Sequence, residues 1–203
     1  MPLKDQLKNY AKKLVEDRPD PSTLRRLLRF PRSLALRFKD DGVIPNNPRF
    51  PVMIYRNAIS LRTKFDPAAV IDALFESNGW SRSWRDSVYD FLHYHSQVHE
   101  VLGVARGSAK VELGGVKGKI LSMKAGDVAI LPAGTGHRLI DASRNFQVVG
   151  AYPTDGAYDE CTDTRDRVAA AKRVAKVRKP QNDPVYGQDG PMTELWRARR
   201  KRA

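Results

Sequence analysis

All four histidines of the 203-residue chain lie between positions 93 and 137. Three fall in the run Leu92-His93-Tyr94-His95-Ser96-Gln97-Val98-His99-Glu100, and the fourth is His137. Imidazole is the commonest protein metal ligand. His93 and His95 are two apart, so on a strand both rings share a face and lie close enough to share an ion. Glu100 can enter from the start of the next strand after a short turn. The turn Pro132-Ala133-Gly134-Thr135-Gly136 could return His137 to the same pocket. Three neutral imidazoles and one carboxylate suit a divalent ion such as Fe(II), Mn(II), Ni(II) or Zn(II). Four protein ligands also leave room for water, oxygen or substrate, which separates a working metal from a structural one. We therefore expect His93, His95, Glu100 and His137 to hold a metal. His99 adjoins Glu100 and points to the other face of the strand. It is expected behind the ligands, hydrogen-bonded to backbone or carboxylate. No catalytic base is identifiable. Asp141 shares a face with His137 only if the strand runs on unbroken, and a turn or rim position competes with that role.

The elements that would carry these residues are mostly short strands. Val101 to Ala105, Ala109 to Leu113, Ile120 to Met123, Val128 to Leu131 and Phe146 to Tyr152 are apolar segments separated by glycine or proline turns. Closely spaced strands of this kind argue a small sandwich or barrel. Upstream, Val52 to Tyr55 is apolar on both faces and reads as a strand covered on both sides, resumed at Ile59 and Leu61. Asp66-Pro67 opens a helix ended by Asn78-Gly79. Trp80 and Trp84 are expected as core or rim aromatics. Helical spacing is also present in Leu3, Leu7, Tyr10 and Leu14, in Leu24 to Phe30, and from Thr164 to Lys179.

Charge divides the chain. Residues 1–50 carry 12 Lys and Arg against 6 Asp and Glu, residues 51–160 carry 12 against 12, and residues 161–203 carry 12 against 5. The histidines thus sit in a neutral middle between basic ends. Affinity for polyanions would belong to the ends, not to the domain. Arg25, Arg26, Arg29 and Arg32 could touch anionic lipid or nucleic acid, although a solvated helix face explains them as well. No apolar run reaches the length of a membrane span, and the charged N-terminus lacks the apolar stretch of a secretory signal. Cys161 is the only cysteine, which rules out an internal disulfide and Cys-rich metal sites. A cytoplasmic setting is the expectation.

His93-x-His95, then Glu100 and Gly107, resembles the first motif of the cupin superfamily. Gly126, Pro132, Gly134 and His137 resemble the second, at matching spacings. Ser87 stands where the first motif opens with glycine, and Asp141 where the second ends in asparagine. Further blocks, among them Asp41-Gly42-x-Ile44-Pro45-Asn46-Asn47-Pro48, Asn78-Gly79-Trp80, Val149-Gly150-Ala151-Tyr152-Pro153 and Asp183-Pro184-Val185-Tyr186-Gly187, resemble the YjlB-like group of bacterial cupins. The resemblance implies a mainly β chain. Its core would be a single double-stranded β-helix, or jelly-roll barrel, over residues 34–160. A basic helical extension would cover 1–33, and a basic helix and tail 161–203. It also implies a homodimer.

Three functions compete at this stage. The first is a metal-dependent enzyme acting on a small molecule in the barrel, by oxygenase, isomerase or decarboxylase chemistry. The second is a non-enzymatic module or sensor that binds a small ligand or metal. The third is nucleic-acid association through the basic ends.

Overall fold

The computed structural model describes residues 18–30, 32–162 and 165–197. The helix expected over residues 3–14 and the basic run beyond Arg197 lie outside these residues. Among the described residues the order is α1 (Pro21–Leu27), β1 (Arg32–Leu36), β2 (Val52–Arg56), α2 (Pro67–Ser77), β3 (Trp80–Asp86), β4 (Glu100–Arg106), β5 (Ser108–Leu113), β6 (Lys119–Lys124), β7 (Val128–Leu131), β8 (His137–Ala142), β9 (Gln147–Pro153), α3 (Arg167–Lys176) and α4 (Pro191–Leu195). The chain is mainly β, as expected. The strands form a six-stranded sheet, ordered β1-β2-β7-β4-β9-β3, and a three-stranded sheet, ordered β6-β5-β8. Every pairing between named strands is antiparallel.

Strand alternation explains how the core is divided. Val52 and Ile54 of β2, Leu102 and Val104 of β4 and Val148 of β9 face Ala109, Val111, Leu113 and Met123 of the smaller sheet. The intervening residues Met53, Tyr55, Val101, Ala105, Val149 and Ala151 face the other way, onto α2 and the C-terminal segment. The six-stranded sheet is therefore covered on both faces, as the apolar run Val52 to Tyr55 requires.

Helix α2 begins at Pro67, and the Asp66 carboxylate accepts the Ala69 N–H at 3.1 Å. Its Ile71 and Phe75 pack onto β4 at Gly103. A Cβ there would lie 2.7 Å from Ile71 Cγ2, so the close approach needs glycine. The C-terminal segment closes the same face. Trp196 stacks on Phe50 with centroids 4.9 Å apart, and Met192 is fully buried. The buried Asp183 carboxylate accepts from Tyr55 Oη at 2.5 Å and from the Val185 and Met192 N–H groups at 2.8 and 3.1 Å. Asp183, Val185, Met192 and Trp196 thus tie this segment to the core.

Some elements differ from the sequence expectations. Ile59 and Leu61 do not resume a strand; Ile59 makes only an isolated bridge to Leu28. The helix from Leu24 starts earlier, at Pro21, because Asp20 caps it by accepting the Ser22 and Thr23 N–H groups.

Candidate metal centre

The site forms between the two sheets. Glu100 opens β4 on the same face as Leu102 and Val104, so alternation aims its carboxylate between the sheets. His137 opens β8 opposite Leu113, which also faces inward. The segment carrying His93 and His95 runs alongside. The His93 N–H donates to His137 O at 3.2 Å, and the His137 N–H donates back to His93 O at 2.9 Å. His93 and Tyr94 lie in isolated bridges, not in the strand expected, but the extended backbone keeps the two-residue alternation.

Three ring nitrogens converge. One ring nitrogen from each of His93, His95 and His137 lies within 4.8 Å of the others, and all three residues are buried. Glu100 Oε2 lies 3.1 Å from His137 Nε2 and 3.4 Å from His95 Nε2. The opposite nitrogen of each ring is committed. His93 Nδ1 donates to Phe91 O at 3.1 Å, His95 Nδ1 to Asp159 O at 2.5 Å, and His137 Nδ1 to Thr135 O at 3.1 Å. A carbonyl only accepts, so Nδ1 carries the hydrogen and Nε2 of the neutral ring is a bare lone pair. Lone pairs of His95 and His137 then face a carboxylate oxygen that is itself buried without a donor. Acceptor faces acceptor at hydrogen-bond range, which a cation or protons must resolve. Three imidazole nitrogens and one carboxylate oxygen fit a divalent transition ion.

The electrostatics agree. Burial, with His137 alongside, holds His93 down to about 3, so its ring is neutral and free to coordinate. Burial also opposes charge on His95, but the Glu100 carboxylate and Asp159 outweigh it and raise its pKa. Burial pushes Glu100 up, yet His95 and His137 hold it well below the usual carboxylate range. The buried Glu100 carboxylate thus carries negative charge that a proton on His95, or an ion in its place, balances.

His99 is not in this cluster. It precedes Glu100 in an extended backbone and points to the opposite face. Its Nδ1 accepts the Ala133 N–H and its Nε2 donates to Arg178 O, both at 2.9 Å. Its ring packs between Phe50 and Trp196. Asp141 is also elsewhere. A register shift after Val111–Leu139 pairs it with the exposed Lys110, so it faces solvent. The strand does not run on unbroken, and Asp141 does not share the face of His137.

The structure adds residues that motif spacing did not single out. The Asp159 carboxylate accepts the N–H groups of Ser96 and Gln97 at 2.9 and 3.0 Å and the Ser96 hydroxyl at 2.5 Å. Its carbonyl holds His95, so one residue fixes both the loop and the ring. Arg173 of α3 donates to Ser96 Oγ at 2.7 Å. No periodicity marks Asp159. Tyr152 was legible, because it alternates with Val148 and Gly150 on the inner face of β9. Its hydroxyl accepts from Trp84 Nε1 at 3.0 Å. Gly150 admits that indole: a Cβ there would sit 2.1 Å from Trp84 Cε2. A cavity of about 280 Å3 opens onto the cluster, with Trp84, Val88, Leu102, Tyr152 and Tyr158 in its wall. Among the described residues no helix is long and apolar enough to cross a membrane.

No family model matches the chain. It is 39% identical over 160 residues to the uncharacterized protein YjlB of Bacillus subtilis (strain 168), a match that spans 78% of this chain and 93% of that protein. Among solved structures, a deletion mutant of Bacillus subtilis oxalate decarboxylase aligns with 55% of the chain at 19% identity and a TM-score of 0.35. A structure described under DMSP lyases aligns with 56% at 14% identity and a TM-score of 0.31. The chain spans only 28% and 43% of those two structures, and likeness at that level does not bear on chemistry. The match over 93% of YjlB, together with two histidine-bearing motifs whose side chains meet between antiparallel sheets, means that the chain belongs to the YjlB family of cupins.

Proposed function

We propose that the protein is a metal-dependent enzyme acting on a small molecule in the cavity between its sheets. His93, His95, His137 and Glu100 hold the ion, which is Fe, Mn, Ni or Zn. The observation that carries this reading is the convergence of Nε2 lone pairs on a buried carboxylate oxygen, with every Nδ1 already committed to a carbonyl. A bound ion supplies Lewis acidity toward a substrate oxygen, or activates water or oxygen.

The residues around it have separate tasks. The carbonyls of Phe91, Asp159 and Thr135 fix each ring's tautomer and rotation. Leu102 and Val88 keep the inner wall apolar, which limits water at the reacting end. Burial, with Glu100 nearby, raises the Tyr152 pKa, so its hydroxyl keeps its proton and works as a hydrogen-bond donor rather than a base. The reaction is of oxygenase, isomerase or decarboxylase type.

The test is metal analysis of the purified and the reconstituted chain, followed by a turnover screen of small metabolites. One ion per chain, lost together with turnover in His93→Ala and His137→Ala, is the expected result. Wild-type protein without stoichiometric metal after reconstitution contradicts it. One observation favours a non-enzymatic ligand- or metal-binding role instead. Among the described residues, the only carboxylate lining the cavity apart from the cluster is Asp86, which is exposed and accepts the Ser87 N–H. Thermal stabilisation by a metabolite without turnover would decide for that reading.

A further inference from the structure

We propose that the cavity takes a single-ring planar aromatic molecule that presents oxygen donors to the histidine end, and not a small aliphatic dicarboxylate; this rests on reading the cluster as a metal centre. Aromatic side chains flank the three imidazoles on both sides. On one flank Tyr89 stacks on Phe91 at 4.7 Å between centroids, and each meets His93 at 5.3 Å. On the other, Tyr158 meets His95 at 5.0 Å and Tyr152 at 5.4 Å. These rings are not filling the core. Tyr89 is 52% exposed, Tyr158 51% and Phe91 42%. Of these, Tyr89 and Tyr158 line the cavity, with Phe91 behind Tyr89, so exposed ring faces border the space a flat ligand would enter. Tyr158 is also tethered, since its hydroxyl donates to Glu160 at 3.2 Å, so its ring is oriented before a ligand arrives.

Charge supplies the second observation. Among the described residues Arg85 is the only Lys or Arg lining the cavity. Its Nε donates to Asp72 Oδ2 at 2.8 Å, its Nη2 donates to the same oxygen, and its Nη1 lies 3.5 Å from Asp66 Oδ2. Arg82 lies 6.0 Å from the Tyr152 ring centroid, but its guanidinium donates to the Pro153 and Gly156 carbonyls. Among the described residues each arginine beside the cavity is already engaged, and the exposed Asp86 repels a second carboxylate. Size sets the limit: about 280 Å3 holds one substituted ring rather than a fused polycycle.

Two hydroxamic acids separate ring recognition from metal binding, because they share one oxygen-donor head. Benzohydroxamic acid carries a flat ring and cyclohexanecarbohydroxamic acid a puckered one. Both are titrated calorimetrically, with oxalate as the third probe, into protein whose metal content has been measured. The flat ring is expected to bind about tenfold tighter than the puckered one, and tighter than oxalate. Tyr158→Leu and Tyr89→Leu, which keep side-chain bulk, should bring that ratio toward one without changing metal content. Alanine at the same positions is the harsher version. A wild-type ratio near one, a ratio unchanged in both variants, or tighter binding of oxalate overturns the proposal. Full metal content with no ring preference overturns this inference alone. Protein that holds no ion and binds neither hydroxamic acid overturns the metal-centre reading with it.

Discussion

His99 and His95 are four residues apart and both buried, yet their surroundings differ in one decisive respect. Both nitrogens of His99 are satisfied by backbone, Nδ1 by the Ala133 N–H and Nε2 by Arg178 O. His95 has one nitrogen satisfied by Asp159 O and the other aimed at a carboxylate oxygen. The first ring has no valence left for a ligand and joins the sheet to the C-terminal segment. The second has a lone pair and no neutral partner for it. Burial alone therefore does not mark a candidate metal ligand; an uncommitted nitrogen does. The difference comes from one peptide step. Glu100 faces between the sheets, and its neighbour His99 faces Phe50 and Trp196.

The sharpest way to break this comparison is to remove rings from each side. His95→Ala or His137→Ala should lower metal affinity by more than about 100-fold, measured by competition with a chromophoric chelator. His99→Ala should leave stoichiometry intact but cost about 2–4 kcal/mol in urea unfolding, because it opens a cavity and strands two backbone groups. Equal metal loss in both variants would erase the distinction.

The next effect is a pH dependence. Burial lowers the His99 pKa from 6.5 to about 4 in the folded chain. Between those values the unfolded chain binds the proton and the folded chain does not. Stability from this group is complete above pH 6.5 and is lost as pH falls toward 4. The loss is about 3 kcal/mol, read as the difference between wild type and His99→Asn in urea midpoints across that range. Parallel pH profiles for the two proteins would contradict it.

Asp159→Asn should have a smaller effect. It keeps the carbonyl that holds His95 but weakens the clamp on Ser96 and Gln97. Metal affinity should fall about tenfold with the fold retained, and unchanged affinity would show that the loop holds itself. Asp141→Ala is the smallest. It is expected to change neither metal affinity nor stability by more than about 0.5 kcal/mol, because its side chain faces solvent beyond the bulge.

Much of this was legible, and what was not has a common cause. β2, β4, β7 and β9 are buried on one or both faces, so their apolar runs reveal them. β1 and β3 are the edges of the six-stranded sheet. Arg32 to Ala35 is exposed throughout, and β3 carries a register shift between Ser81 and Trp84 with Arg82 at φ 52°. Edge strands have little to bury and so leave little pattern. The two-residue spacing puts His93 and His95 on one side, the resemblance to the two cupin motifs adds Glu100 and His137, and the structure brings these four side chains together. Asp159 was not, since it acts through a carbonyl and a loop contact 64 residues from His95. The C-terminal segment read as loop and tail because its contribution rests on isolated residues, Asp183, Met192 and Trp196, and not on a repeating face.

The most direct test of the central claim is metal stoichiometry by elemental analysis of reconstituted wild type, His93→Ala, His137→Ala and His99→Asn. One ion per chain is expected in wild type and His99→Asn, and none in the other two. A wild type without bound metal, or loss in all three variants alike, would contradict it.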